Sequence, residues 1–216
     1  MPEPSCQTPP HTGDGPHEHT PLFGSGYAGL GCSRLDSDFR EGSESQKPSR
    51  GINNVLIGVI SDTHDRLPMI DAALDLFARR AVDAVIHPGD FVAPFAVRSL
   101  LKYKGPLYAT YGNNDGERAG LKTTMPQVVD GPLRLSLGGR SILVHHFIDW
   151  CDPKDIDQSD IIITGHTHEV VNRFERGKLF LNPGECCGWV HGRCTVALLD
   201  TDSPSAEVCE LESLEK

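Results

Sequence analysis

The sequence predicts an α/β fold, a four-layer α/β/β/α sandwich of two mixed sheets. Three observations carry that expectation. Apolar runs alternate with amphipathic stretches from Asn54 to Tyr111, the pattern of parallel strands joined by right-handed crossover helices. From Leu133 onward, short strand-like segments follow one another through tight turns, a β-rich half that reads as mostly antiparallel. Five of the apolar runs end in Asp, His or Asn. A row of ligand-type side chains therefore falls at the carboxyl ends of buried strands, the edge at which open α/β sheets bind ligands.

Taken in order, Asn54–Ile60 is the first strand. Leu67–Arg80 is an amphipathic helix, with Pro68 in its first turn, Met69, Ala73, Leu76 and Phe77 at helical spacing, and arginines in the last turn. Val82–Ile86 is the second strand, Pro94–Tyr103 the second helix and Pro106–Tyr111 the third strand. Leu133–Leu137 and Ser141–Val144 flank Gly138–Gly139 and read as a hairpin. Ile161–Ile163 is a run buried on both faces, and Val170–Phe174, Lys178–Asn182 and Thr195–Leu199 complete the strands. Residues 1–51 are rich in proline and glycine with few branched aliphatics, so this extension is expected to be disordered. A start assigned too far upstream is a further expectation, since the folded part begins within a few residues of Val55; no methionine lies between Met1 and Met69, so such a start would use another codon read as the initiator methionine. An intact-mass measurement tests it.

The strand ends hold the chemistry. Ile163 runs into Thr164–Gly165–His166–Thr167–His168, where an extended His-x-His places two imidazoles on one side of the backbone. Upstream, the same arrangement gives Asp62 and His64, then Asp90 after Gly89, then Asn113, Asn114 and Asp115 after Gly112, and His145–His146 after Val144. Carboxylate and imidazole without thiolate suit Mn, Fe, Zn, Co or Ni. Asp62, His64, Asp90, Asn113, His145, His166 and His168 are too many ligands for one ion. Each also has a plainer reading. Asp62 or His64 could cap the next helix, Asp90 and Asn113 are common turn residues, and the histidines could be solvated. Their ordered recurrence at five strand ends favours a metal site. His87 reads as a structural histidine, and Asp65 and Asp115 as carboxylates orienting imidazoles. Trp189, His191 and Arg193 are candidates for the rim, Arg193 either on a phosphate or in a salt bridge.

This ordered set, D-x-H, GD, GNxD, a strand-end histidine and GHTH, resembles the calcineurin-like metallophosphoesterases. Its compact size and the Asn182–Pro183–Gly184 turn after GHTH are similar to the small YfcE-type phosphodiesterases. The resemblance covers about residues 53 to 201, within an expected domain over 52–212. It implies the four-layer fold and hydrolysis of a small phosphodiester by a hydroxide bridging two divalent metal ions, Mn²⁺ the favoured one, ~3.5–4 Å apart. Asp62, His64 and His168 would hold one ion, Asn113, His145 and His166 the other, with Asp90 bridging. Of the adjacent pair His145 and His146, we expect His145 to be the ligand; many relatives have glycine at the second position. Many members place a histidine after the motif asparagine to protonate the leaving oxygen. Here that position is Asn114, which sits among the catalytic candidates with Asp90 and Asn113 but cannot act as a general acid. The alternatives are a phosphomonoesterase on the same site, or a non-catalytic scaffold of the same fold, like the retromer subunit.

Composition narrows the setting. With 216 residues, the chain has room for one sizeable domain plus a tail. A net charge of −10 argues against a general nucleic-acid or anionic-membrane binder, although metal ions can bring a phosphate ester to an acidic protein. No apolar run is long enough to span a bilayer. Seven cysteines without a C-x-x-C pair indicate neither a disulfide framework nor a zinc ribbon. We therefore expect a cytoplasmic protein, compatible with a homo-oligomer.

Overall fold

The structure, a computed structural model, describes residues 54–212; the extension expected over 1–51 lies outside the described residues. Strand β1 (Leu56–Val59), helix α1 (Leu67–Arg79), β2 (Ala84–His87), α2 (Pro94–Leu100) and β3 (Leu107–Ala109) form the predicted β-α-β-α-β half. A short helix α3 (Arg118–Thr124) leads to β4 (Leu133–Leu137) and β5 (Arg140–Val144). A 3₁₀ turn over Ile148–Trp150 and helix α4 (Pro153–Asp157) precede β6 (Ile161–Ile163), β7 (Val170–Glu175), β8 (Lys178–Pro183), β9 (Thr195–Asp200) and β10 (Ser205–Glu210).

Two five-stranded mixed sheets result, ordered β10-β9-β1-β2-β3 and β4-β5-β6-β8-β7. In the first, β1, β2 and β3 are parallel, β9 runs against them, and edge strand β10, antiparallel to β9, returns to their direction. In the second, the antiparallel pairs lie at the edges, and the centre, β5-β6-β8, is parallel. The sites that matter sit at the carboxyl ends of these two parallel centres. Strand periodicity sorts the core. Ile57, Val59 and Ile86 meet Ile142, Val144, Ile161 and Ile163 between the sheets. On the first sheet's other face, Ile60 and Val85 pack on Met69, Ala73 and Phe77 of α1 and Val97 of α2. Leu143 and Ile162 face the second sheet's outer side, covered by Cys151, Ile148 and Ile156. Ile161–Ile163 is thus buried on both faces, as its unbroken apolar run predicts.

Local chemistry explains the agreements and the differences. Gly138 and Gly139 both have positive φ (57° and 73°), the requirement of a tight hairpin turn. Gly58 lets α1 lie close to β1, because a Cβ there would stand 2.8 Å from the Phe77 ring. Helix α2 stops at Leu100 rather than Tyr103, since Lys102 and Tyr103 bond back to Ser99 and Leu100 in i→i−3 fashion ahead of Pro106. Helix α3 escapes a periodicity reading because it buries one residue, Leu121. Edge strand β10 alternates so sparsely (Ala206, Val208) that its polar residues hide it.

Candidate metal centre

The loops after β1, β2, β3, β5 and β6 converge, and those after β1, β2 and β6 do so in an unusual backbone conformation. Asp62, His64, Asp90, His166 and His168 have φ of 51°, 37°, 63°, 69° and 61°. The left-handed region costs a non-glycine residue ~1–3 kcal/mol, so its concentration here points to a functional constraint. Cross-loop hydrogen bonds hold it. Thr63 and His64 N–H donate to the Asp90 carbonyl (3.0 and 3.2 Å), and Cys187 N–H donates to that of Asp62 (3.1 Å). Gly112 and Gly165 provide the room, since a Cβ at either would run into the Asp90 carboxylate or into Ser61 and Asp62.

In one half of the site, the buried Asp62 carboxylate accepts from Ser61 Oγ (2.5 Å) and from His166 N–H (3.2 Å). Burial raises its pKa despite Ser61, His146 and His168, which act the other way. His168 Nε2 stands 3.4 Å from Asp62 Oδ1, and His64 Nε2 stands 3.9 Å from it and 3.5 Å from Asp90 Oδ2. His64 Nε2 is buried with no hydrogen-bond partner. The other nitrogen of His168, Nδ1, lies 2.8 Å from Glu185 Oε2. Glu185, 1% exposed, also accepts from His191 N–H (2.5 Å), Val190 N–H (3.0 Å) and the Cys187 thiol (3.2 Å). Burial pushes its carboxyl up, but these donors outweigh it and hold the pKa down at about 2. Sequence reading missed Glu185. Its only signal is a carboxylate following the Asn-Pro-Gly turn.

In the other half, Asn113 Oδ1 lies 2.7 Å from His166 Nδ1 and 2.9 Å from His146 Nε2. His146 Nε2 is also 3.4 Å from Asp90 Oδ2, while its Nδ1 meets the Pro88 carbonyl at 3.1 Å. The expectation for His145 is corrected: His146, wholly buried, is the one that joins the cluster. Side chains alternate along β5, so His146 continues the inward series Ile142, Val144, whereas His145 follows Leu143 outward. There its ring meets Trp150 edge-on at 5.5 Å. Sequence could not choose between the two because β5 is buried on both faces at its end. Asn114 donates to Asp90 through its backbone (2.8 Å) and its amide (2.7 Å). Burial raises the Asp90 pKa, but His146 and these two bonds prevail and hold it well below the usual carboxylate range.

The remaining expectations resolve simply. Asp115 accepts N–H groups of Asp90, Phe91, Val92 and Gly112, and Asp65 accepts that of Ala93, so both clamp loops and neither orients an imidazole. His87 is structural: its Nδ1 accepts Gly89 N–H, its Nε2 meets Thr63 Oγ1, and burial, then His146, push its pKa to about 3. Arg193 pairs with Glu210 at 2.9 Å rather than facing the site. Trp189 is at the rim, 62% exposed, its ring under the Arg66 guanidinium.

The donor set fits a metal. Ligand atoms of Asp62, His64, Asp90 and His168 all lie within 4.8 Å of one another. Imidazole–carboxylate separations of 3.4–3.9 Å are long for hydrogen bonds but suit ligands of a shared ion ~2.0–2.2 Å from each. Two mixed sheets delivering such donors from the carboxyl ends of their strands define a metallophosphoesterase. The family profile for the calcineurin-like phosphoesterase superfamily domain matches residues 55–204, and the chain belongs to that superfamily. It is 36% identical to phosphodiesterase MJ0936 of Methanocaldococcus jannaschii over 164 residues, 72% of this chain and 99% of that one. The solved structure of an archaeal phosphodiesterase superposes with a TM-score of 0.64 at 34% identity, covering 72% of this chain and 99% of that chain. YfcE, a phosphoesterase of E. coli, shares the fold at 19% identity and a TM-score of 0.56, covering 73% and 100%.

Proposed function

We propose that this chain is a divalent-metal-dependent phosphodiesterase acting on a small diester. One observation supports it above the others: Asp62, His64, Asp90, Asn113, His146, His166 and His168 converge from five strand ends. Asp62, His64 and His168 would hold one ion. Asn113, His146 and His166 would hold the other, and Asp90, which faces His64 and His146 at 3.5 and 3.4 Å, would serve both. When bound, two divalent cations, Mn²⁺ the favoured ion, supply a water acid enough to ionise near neutral pH and neutralise charge on the phosphoryl oxygens. Ser61 and Asn114 hold Asp62 and Asp90 in place, and Glu185 and the Pro88 carbonyl orient His168 and His146. Asn114 stands where a proton donor would serve the leaving oxygen, so the leaving group must depart as its own anion. A reducing, cytoplasmic setting belongs to the same proposal, supported by Cys186 and Cys187 as buried free thiols.

The test is hydrolysis of bis-nitrophenyl phosphate with Mn²⁺, alongside metal content and a leaving-group series. About two ions per chain, turnover of the diester and a steep fall as the leaving group becomes less acidic are expected. Protein that takes up no metal and hydrolyses no ester sinks the proposal, and equal rates on the monoester correct the substrate to a phosphomonoester.

A further inference from the structure

We infer that Cys187 gives one half of the metal centre a second seat, in which a thiophilic divalent ion such as Zn²⁺ is held by His64, His168 and the Cys187 sulfur. The inference rests on reading the centre as a metal site, and it adds a donor that the strand ends themselves do not supply. Cys187 is fully buried, and its Sγ and a ring nitrogen of each histidine all lie within 4.8 Å of one another. Zinc stands ~2.3 Å from a thiolate and ~2.0–2.1 Å from an imidazole nitrogen, so small side-chain movements bring all three onto one ion. The backbone fixes the position. Cys187 N–H donates to the Asp62 carbonyl (3.1 Å), and the Cys187 carbonyl accepts from Arg66 Nη1 (2.5 Å). The sulfur stands 3.2 Å from Glu185 Oε2, the oxygen that also meets His168 Nδ1 at 2.8 Å.

The plainer reading of a buried cysteine is packing, and the neighbouring Cys186 shows what that looks like here. Cys186 lies in the apolar cluster with Met69, Phe77 and Val196, whereas Cys187 belongs to no apolar cluster among the described residues. One side chain goes to the core and the next to the imidazoles. Two donor sets therefore share one pair of histidines. Asp62 and Asp90 complete His64 and His168 with carboxylate oxygen, and Cys187 completes them with sulfur. Oxygen suits Mn²⁺, while thiolate selects zinc-like ions. The set with sulfur does not include Asp90, so an ion drawn to Cys187 leaves the carboxylate that both halves share. Thiophilic ions thus compete with Mn²⁺ for this half and uncouple it from the other. Binding breaks the S–H bond: the sulfur keeps the electron pair for the ion, and the proton goes to solvent.

The experiment uses the full chain freed of metal, with Cd²⁺ as the probe, because cadmium on thiolate has an ultraviolet charge-transfer band that cadmium on imidazole or carboxylate lacks. The band is expected in the wild type and in Cys186→Ala, and not in Cys187→Ser, which keeps a hydroxyl to donate to Glu185. His64→Ala should need more cadmium to reach the same band. Calorimetric titrations with Zn²⁺ and Mn²⁺ read the preference. A direct donor is worth no less than a partner behind a ligand, so Cys187→Ser should lower the ratio of zinc to manganese affinity at the tighter step by ~10-fold or more. An undiminished band in Cys187→Ser, a band that His64→Ala leaves alone, or an unchanged affinity ratio overturns the seat. If Cys187→Ser does not fold, cadmium NMR of the wild type decides, and a resonance of oxygen and nitrogen ligation without sulfur overturns it. None of these measurements needs turnover. Mn²⁺ uptake and diester hydrolysis without the band overturn the sulfur seat alone, whereas the band without Mn²⁺ uptake or hydrolysis overturns the diesterase alone.

Discussion

Around Asp62, His64 and His168, the proposed site is carboxylate and imidazole, backed by the buried Glu185; around Asn113, His146 and His166, the oxygen is an amide and the backing is a backbone carbonyl and aromatic rings. Both halves share Asp90. The first therefore brings more negative charge to its cation and anchors its histidine through an ionised partner. The second brings less charge. Charge count tunes metal affinity, so the ion in the first half should bind tightly and the ion in the second more weakly.

The largest effect expected is from Asp90→Asn, which removes the charge common to both halves. Metal analysis should find both ions lost, and diester hydrolysis should fall by on the order of 10³-fold or more. A variant that keeps one ion at full occupancy would show that the halves are independent. Next come matched substitutions on the two sides. In a calorimetric Mn²⁺ titration, His168→Ala should abolish the tighter step and His166→Ala the weaker one. Identical isotherms for the two would erase the asymmetry.

Glu185→Gln should weaken the tighter step alone, by ~10–100-fold, the usual cost of losing a partner behind a ligating histidine. It also has a signature in pH. The folded carboxyl titrates near 2 against an ordinary value of 4.5, so the ionised form is the one that folding favours. Its contribution is fully present above pH 4.5 and is lost as pH falls toward 2, so metal-free wild type should lose stability across that window. Glu185→Gln should flatten that part of the denaturation profile. An unchanged profile would mean that the His191 and Val190 N–H groups hold the amide equally well. The smallest effect is expected at His145. His145→Ala should leave both metal steps intact and cost stability alone, within the ~0.5–3 kcal/mol typical of a point substitution, whereas His146→Ala should remove the weaker step. Loss of metal in His145→Ala would return the ligand role to the residue that the family resemblance points to.

Six of the seven residues proposed as ligands can be read from the chain, because each ends an apolar run and the runs come in a recognisable order. Asp62, His64, Asp90, Asn113, His166 and His168 are exposed in sequence by the strands before them. His146 was not, and the reason is specific. Alternation along β5 separates its two sides, but with both sides buried nothing in the residues says which side meets the first sheet. Glu185 was hidden differently, since its partners His168, Val190 and His191 meet it only once β8 lies beside β6. Asp115 looked like a carboxylate for an imidazole and instead gathers backbone N–H groups from two loops.

By itself, the sequence determined the strand–helix alternation, the parallel centre of the first sheet and the side chains placed at strand ends. All of these follow from periodicity and composition within ten or so neighbouring residues. The tertiary structure alone decided which face of β5 looks inward, which carboxylate stands behind His168, and that Phe147 walls both His166 and an apolar cavity. Those choices depend on how two sheets stack across a shared core, and stacking brings together groups far apart along the chain that no local pattern relates.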